Sequence, residues 1–380
     1  MKKKYIILSI ITLVLLIAFV TSFNYFKTSN TYVENNSNNQ TKITKGISMN
    51  LEKTAGAGDY KQVTQSSWPT EGYKFNAELS KCENGGEISW DDTKKAVIVS
   101  GNLSDKCYVY FDIYQLTLAE YIKSQYTGTQ GENNIYYHDS SLANGAGDNS
   151  YRYAGASDSV NNYICLGSDA TTCPDANLFR IIGVFGNQTK VIRAKSVGYQ
   201  QWHTSADNTW SSSSLNAYLN GTYLTSLGTI AEKIATTTWK VGGGSGSNIS
   251  ASVPKTAYKN EVGSSASTTI IDKKIGLMYV SDYGFAASPS AWTKTLGDYD
   301  GTDANGTSIK TINWMYMGYN EWTISRYSDD SDFAFFVYVS GDVFSFSVDG
   351  YFGVRPSFNL ESSVKYVSGS GSMSDPVRVN

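Results

Sequence analysis

An uninterrupted apolar run opens the chain. Tyr5 to Phe26 carries no charge, its centre from Ile6 to Val20 is dominated by Ile, Leu and Val, and Lys2, Lys3 and Lys4 precede it. A hydrocarbon core of about 30 Å needs roughly 20 helical residues. The run therefore predicts a membrane-spanning helix, with the lysines cytoplasmic and the rest of the chain exported. Val20-Thr21-Ser22 also offers small residues suited to cleavage, so residues 1–27 read as a signal anchor or as a signal peptide. Residues 28–46, rich in Ser, Asn and Thr, read as a polar flexible linker.

Beyond Ile47 the hydrophobic period is short. Gly72-Tyr73-Lys74-Phe75 and Ala96-Val97-Ile98-Val99 flank the turn signal Asn84-Gly85-Gly86, and Tyr108-Val109-Tyr110-Phe111 follows Cys107. Residues 47–114 thus predict a small β domain. Leu116 to Ile122 predicts a helix capped by Thr117. Gly128 to Asn162 shows no clear period and reads as a connector or docking loop. Phe179–Phe185 and Val191–Ala194 predict a strand pair around Gly186-Asn187. Leu215, Tyr218 and Leu219, then Tyr223 to Ile234, show helical spacing and predict two helices. The last hundred residues read as β: Ile275–Tyr279, Trp322–Ile324, Phe333–Val339, Val343–Val348 and Phe352–Leu360. In this reading Phe333–Val339 is covered on both sides, and Phe344, Phe346 and Val348 turn one face to the core.

Composition narrows the classes. Lys+Arg 31 against Asp+Glu 34 gives a net charge of −3, and no basic block lies outside the N-terminus, so no nucleic-acid partner is expected. Only 17% of residues are charged, against roughly 25% in ordinary soluble domains. Ser, Thr, Asn, Gly and 28 tyrosines must solvate the surface. The four cysteines, Cys82, Cys107, Cys165 and Cys173, form no C-x-x-C. Nearest-neighbour pairing, Cys82–Cys107 and Cys165–Cys173, is the expected scheme for an exported chain, with four buried thiols as the alternative.

A series of motifs then carries a resemblance. Tyr136-Tyr137-His138-Asp139, Ser150-Tyr151-Arg152-Tyr153-Ala154-Gly155, Asn161-Asn162-Tyr163-Ile164-Cys165, Asn177-Leu178-Phe179-Arg180-Ile181-Ile182-Gly183-Val184-Phe185, Leu219-Asn220-Gly221-Thr222-Tyr223-Leu224 and Lys274-Ile275-Gly276-Leu277-Met278 occur in that order. Trp322-Thr323-Ile324-Ser325 and Gly353-Val354-Arg355-Pro356-Ser357 close it. From about Tyr136 to Asn380 the chain resembles an uncharacterised family of exported proteins of Gram-positive Firmicutes and their wall-less relatives. Its W…G-V-R-P ending is similar to the C-type-lectin-like fold of formylglycine-generating-enzyme relatives and bacterial variable binding proteins. The expected fold class is α+β. A C-type-lectin-like domain (158–380) would follow a helix and connector (115–157), the disulfide-stapled β domain (47–114) and the N-terminal transmembrane helix.

The resemblance implies a surface protein with its C-terminal region extracellular, anchored in the cell membrane, or secreted if the signal is cleaved. Its expected partners are the membrane and a surface glycan or protein ligand; a cell-surface enzyme, hydrolase or oxidoreductase, is the alternative. Formylglycine-generating enzymes use an active-site cysteine pair, whereas Cys165 and Cys173 precede the first core strand and read as a loop staple. His138 and His203 lie in no nucleophile motif and read as exposed loop residues. Asp298, Asp300 and Asp303 alternate as calcium ligands do, but Ile309 stands where an EF-hand needs glutamate; they are weak metal candidates, and no cofactor is expected. Trp314 and Trp322 read as core, and Arg355 as a structural arginine paired with a carboxylate. Between Arg326 and Phe352, Tyr327, Asp330, Asp332, Asp349 and Tyr351 crowd the turns between strands. Tyrosines with small polar neighbours make binding surfaces, and rings beside carboxylates suit sugars. These five are the candidate ligand-binding residues, expected to face out together.

Overall fold

In the stretch Cys107–Ile113, Cys107, Val109 and Phe111 are buried while the residues between them are half-buried, the two-residue period of a one-sided strand. Strands of this kind, and others buried on both faces, form the sheets of both units. The computed structural model describes residues 46–64, 68–69, 72–101, 105–242, 249–263 and 268–380. The apolar run Tyr5–Phe26 and almost all of the 28–46 linker lie outside the described residues. Among the described residues no helix is long and apolar enough to cross a membrane. The chain divides into two compact units, one ending at Gln115 and one running from Leu116 to Asn380.

The first unit holds β1 (Ile47–Glu52), β2 (Tyr60–Val63), β3 (Tyr73–Cys82), β4 (Glu87–Asp91), β5 (Ala96–Ser100) and β6 (Cys107–Ile113). Four of them form a sheet in the order β2-β1-β6-β3, and β4 and β5 form a separate hairpin. Met49, Val97, Val109 and Phe111 are its buried apolar centre, with Trp68, Phe75 and Trp90 packed against them. A core this small gains from a covalent staple. Cys82 and Cys107 stand directly opposite each other on β3 and β6 and are bonded.

The second unit begins with α1 (Leu118–Ser124). Thr117 and Glu120 form a reciprocal capping box there, satisfying two backbone donors that a helix start leaves unpaired. Its strands are β7 (Ile135–Tyr137), β8 (Tyr151–Tyr153), β9 (Tyr163–Cys165), β10 (Leu178–Phe185), β11 (Gln188–Arg193), β12 (Tyr199–Gln201), β13 (Thr237–Gly242), β14 (Thr268–Lys273) and β15 (Ile275–Gly276). After these come β16 (Glu321–Arg326), β17 (Phe333–Val337), β18 (Val343–Ser347), β19 (Tyr351–Gly353), β20 (Ser357–Leu360), β21 (Tyr366–Ser368) and β22 (Val377–Val379). A large sheet runs β15-β20-β11-β10-β9-β22-β21, with β8 joined to β10 and β7 to β8; a second runs β12-β19-β16-β17-β18. The helices are α2 (Ser214–Tyr218), α3 (Pro254–Glu261) and α4 (Val280–Ala286). The architecture is mixed α+β and rich in sheet. Cys165 and Cys173 are bonded, closing the loop between β9 and β10.

The G-V-R-P stretch links the two sheets. Gly353 ends β19, and the buried Val354 donates to the Ser196 hydroxyl. Arg355 donates from Nε to Glu321 Oε1 at 2.6 Å and from Nη2 to Glu321 Oε2 at 2.9 Å, both side chains being buried. Pro356 accepts the Arg193 N–H, and Ser357 opens β20 while its hydroxyl donates to Val191. Proline cannot continue a ladder, so the chain changes sheets there. Phe352–Leu360, one strand in the sequence reading, is two.

Other expectations are corrected. The stretch from Gly128 to Asn162 is no bare connector: it carries β7 and β8, and Gly183 is what lets β8 in, since a Cβ there would stand 2.2 Å from the Tyr151 carbonyl oxygen. The two helices expected from Leu215 to Ile234 are short pieces, an α turn, a π turn at Leu219–Tyr223 around Gly221, and a 3₁₀ stretch at Gly228–Lys233. The apolar run Ile275–Tyr279 is a strand only at Ile275–Gly276 and then leads into α4. Phe344 and Phe346 are each 46% exposed, whereas Val343 and Val348 are buried. Trp314 and Trp322 are fully buried.

Candidate functional site

The predicted turn residues divide into two sets. Buried Asn208 organises the first: its Nδ2 donates to the carbonyls of Tyr327, Asp330 and Phe333 at 2.7–2.9 Å, and its N–H to Ser331. Asp330 Oδ1 accepts the Asp332 N–H, and the Val348 N–H donates to the Asp332 carbonyl. The turn carrying Asp349 therefore lies against the turn carrying Asp330 and Asp332. Tyr327 does not face out with them; its ring is half-buried, 5.4 Å from Phe335.

Tyr351 belongs to a different surface. In the antiparallel pair of β12 and β19, Tyr199 opposes Gly353 and Gln201 opposes Tyr351, so Tyr199 and Tyr351 share a face as diagonal neighbours. They are 58% and 65% exposed. Tyr319 joins them, its ring 6.3 Å from that of Tyr199. A Cβ on residue 353 would stand 2.6 Å from the Tyr319 ring; only glycine lets that ring lie across the strand. Gln201 Nε2 donates to the Asp349 carbonyl and fixes the neighbouring turn. Burial pushes the Tyr319 phenol up to about 12, so it stays protonated. Three tyrosine rings thus form a platform at an edge strand. Tyr199 and Tyr319 escaped sequence reasoning; the glycine of G-V-R-P was the available signal, since it marks close approach of another group.

A second cluster is largely buried and lies around a half-open pocket. A cavity of about 230 Å³ is lined by Arg152, Lys190, Asp282, Tyr258, Lys240 and Asn359, among others. Lys190 is a strand residue of β11 only 5% exposed, with Nζ 2.5 Å from Asp282 Oδ2 and 4.4 Å from the Tyr279 ring centre. Arg152 of β8 donates to Asp148 at 2.7 Å and lies over the rings of Phe185, Phe285 and Tyr258. Burial works against the Arg152 charge, but Asp148 and Asp282 outweigh it and hold the group above its usual range. For Lys190 burial prevails over Asp282 and lowers its value. Burial likewise opposes the Asp148 charge, yet Arg152 and the Ser150 hydroxyl hold that carboxyl well below the usual carboxylate range. Of the charged residues of this cluster only Arg152 falls in the motif series, in Ser150-Tyr151-Arg152-Tyr153-Ala154-Gly155.

The remaining candidates are already engaged. His138, expected at the surface, is fully buried; its Nδ1 accepts the Ala146 N–H and its ring packs on Phe285 and Trp292. Burial, helped by Arg152, holds it well below the usual histidine range, so it is neutral. His203 is also buried, at 9%. Glu261 is pushed up to about 7 by burial. Its oxygens accept the N–H groups of Val280 and Ser281 and the Ser325 hydroxyl, which commits it to the start of α4. Asp303 is buried and accepts the N–H groups of Asn305 and Thr307, while Asp298 accepts the Thr295 hydroxyl.

A family model described as a domain of unknown function, DUF6273, matches residues 186–362. No curated protein and no solved structure matches the chain.

Proposed function

We propose that this is a membrane-anchored extracellular binding protein that presents the Tyr199–Tyr319–Tyr351 platform to a glycan. The observation that carries the reading is the platform itself: two largely exposed rings on one face of an edge pair, with a third laid across Gly353. Ring faces stack on the apolar faces of sugars, and phenols at the rim exchange hydrogen bonds with hydroxyls. Rigid strands supply the positioning that loops alone do not. The pairing of all four cysteines supports export, because disulfides persist in oxidising compartments. The charge-free run Tyr5–Phe26 behind three lysines supports the anchor. The C-type-lectin-like reading of the larger unit rests on the W…G-V-R-P residues, and kinship with exported Gram-positive proteins on the motif series that runs from Tyr136 onward.

A glycan array probed with the full chain in detergent tests the proposal. Tyr199→Ala and Tyr351→Ala should each weaken the strongest interaction by about 1–3 kcal/mol while leaving the melting temperature nearly unchanged. Parent-like binding by both variants would remove the platform from the function.

A further inference from the structure

The cavity beneath Lys240 lies apart from the tyrosine platform and has chemistry of its own. Its lining carries three cations, Arg152, Lys190 and Lys240, against one carboxylate, Asp282. Lys190 is matched by Asp282, and Arg152 by Asp148. Lys240 has no carboxylate partner among the described residues; its Nζ donates to the Val262 carbonyl at 3.1 Å. The neighbouring segments 243–248 and 264–267 contain no acidic residue that could supply one. Asn359 points the other way in chemistry. Its Nδ2 donates to the Thr237 hydroxyl at 3.0 Å, while its Oδ1, on a side chain 9% exposed, is buried without a donor. A buried acceptor left unmatched is costly, but this oxygen is closed off from the pocket as well as from bulk water. Tyr258 and Phe185 add apolar wall.

At about 230 Å³ the pocket accommodates one ring of a ligand, and because it is open to solvent on one side a longer molecule can continue outward. We infer that this pocket binds a ring bearing a carboxylate, of the uronic-acid class, with its carboxylate on Lys240 and its apolar face against Tyr258. Ligands of this size in a partly wet site bind at about millimolar strength.

Saturation-transfer NMR of sodium glucuronate and of glucose, each with the full chain in detergent micelles, tests this. Glucuronate should give saturable transfer, with glucose at least tenfold weaker. Lys240→Met, which keeps the apolar stem, should weaken glucuronate about tenfold and leave glucose and the melting temperature unchanged. Equal binding of the two sugars, no transfer from either, or parent-like glucuronate binding by Lys240→Met would each overturn the assignment. None of these results bears on the platform, which Tyr199→Ala and Tyr351→Ala address separately.

Discussion

The Glu321–Arg355 pair offers the sharpest test of how the larger unit is held together. Both side chains are at most 2% exposed, joined by two hydrogen bonds of 2.6 and 2.9 Å, and Arg355 Nη2 also donates to the Met315 carbonyl at 2.8 Å. Removing one partner leaves the other charge buried and uncompensated, which costs about 3–5 kcal/mol. The two single variants should differ in pH dependence. Arg355→Met strands a carboxylate that burial already pushes above its usual range, so Glu321 can take a proton and the loss should shrink towards acidic pH. Glu321→Gln strands a guanidinium that cannot deprotonate, so its loss should be flat with pH. The double variant Glu321→Leu/Arg355→Met should recover most of the stability, because an apolar replacement of a buried pair is often neutral or better. Six of the eight tryptophans are fully buried in this unit, so their fluorescence reports its unfolding in denaturant. Losses of about 4 kcal/mol would lower the melting temperature by roughly 8–16 °C in a unit of this size. Single-variant losses under about 1 kcal/mol, or a double variant as unstable as the two losses added, would refute the argument.

Four further outcomes are expected. Replacing Cys82 and Cys107 by serine should cost the first unit about 2–5 kcal/mol and leave the tryptophan-monitored transition of the larger unit in place, as paired denaturation curves would show. Glu261 binds a proton more tightly folded than unfolded, 4.5 rising to about 7, so the folded state holds more protons across that window and stability falls as pH rises through it. The fall should be at most about 3 kcal/mol, and melting temperatures of Glu261→Gln should show a flatter profile from pH 4.5 to 7. Gly353→Ala forces a Cβ to 2.6 Å from the Tyr319 ring and should abolish platform binding on the glycan array at a stability cost of about 1–3 kcal/mol. Residues 186–362 expressed alone should show no cooperative melt by near-ultraviolet circular dichroism, whereas Leu116–Asn380 should melt cooperatively.

What the sequence made legible was whatever local chemistry fixes locally. Phe179–Phe185 and Val191–Ala194 around Gly186-Asn187 became the β10–β11 hairpin, and Thr117 with Glu120 marked the start of α1. Arg355 read as a paired arginine because a cation among apolar strand residues needs a carboxylate, though nothing local named Glu321. The start of α4 misled because Ile275 to Tyr279 is an apolar run that reads as a strand; its helix is fixed by distant Glu261, which accepts the N–H groups of Val280 and Ser281. Phe344 and Phe346 alternate as core residues should, yet the register places them opposite Phe336 and Ala334 on the face where cover runs out. Lys190 sits in a strand slot that local pattern reads as outward. Asp282, far along the chain, and the rings of Phe185, Tyr279 and Trp239 explain its burial.

The segment matched by the family model and the segment that folds are not the same object. Residue 186 lies in the turn between β10 and β11, so the matched segment contains β11 but not β10. Yet β10 is the strand that joins β11 to β9 and β8, and Phe179, Ile181 and Val184 on it are fully buried. Without β10, β11 would present an open edge and the large sheet would end at mid-width. Arg180 makes the same point from the side chains. Buried on β10, it donates to Asn162, Ser157 and Val160 and, within the matched segment, to the Trp314 carbonyl, with no carboxylate among these partners. Carbonyl and amide oxygens drawn from before and after residue 186 solvate that charge together. The two buried cations of the cavity divide in the same way, Arg152 lying before the matched segment and Lys190 within it, both against Asp282. The structural unit therefore starts at Leu116, and the cavity exists only where both parts of that unit are present.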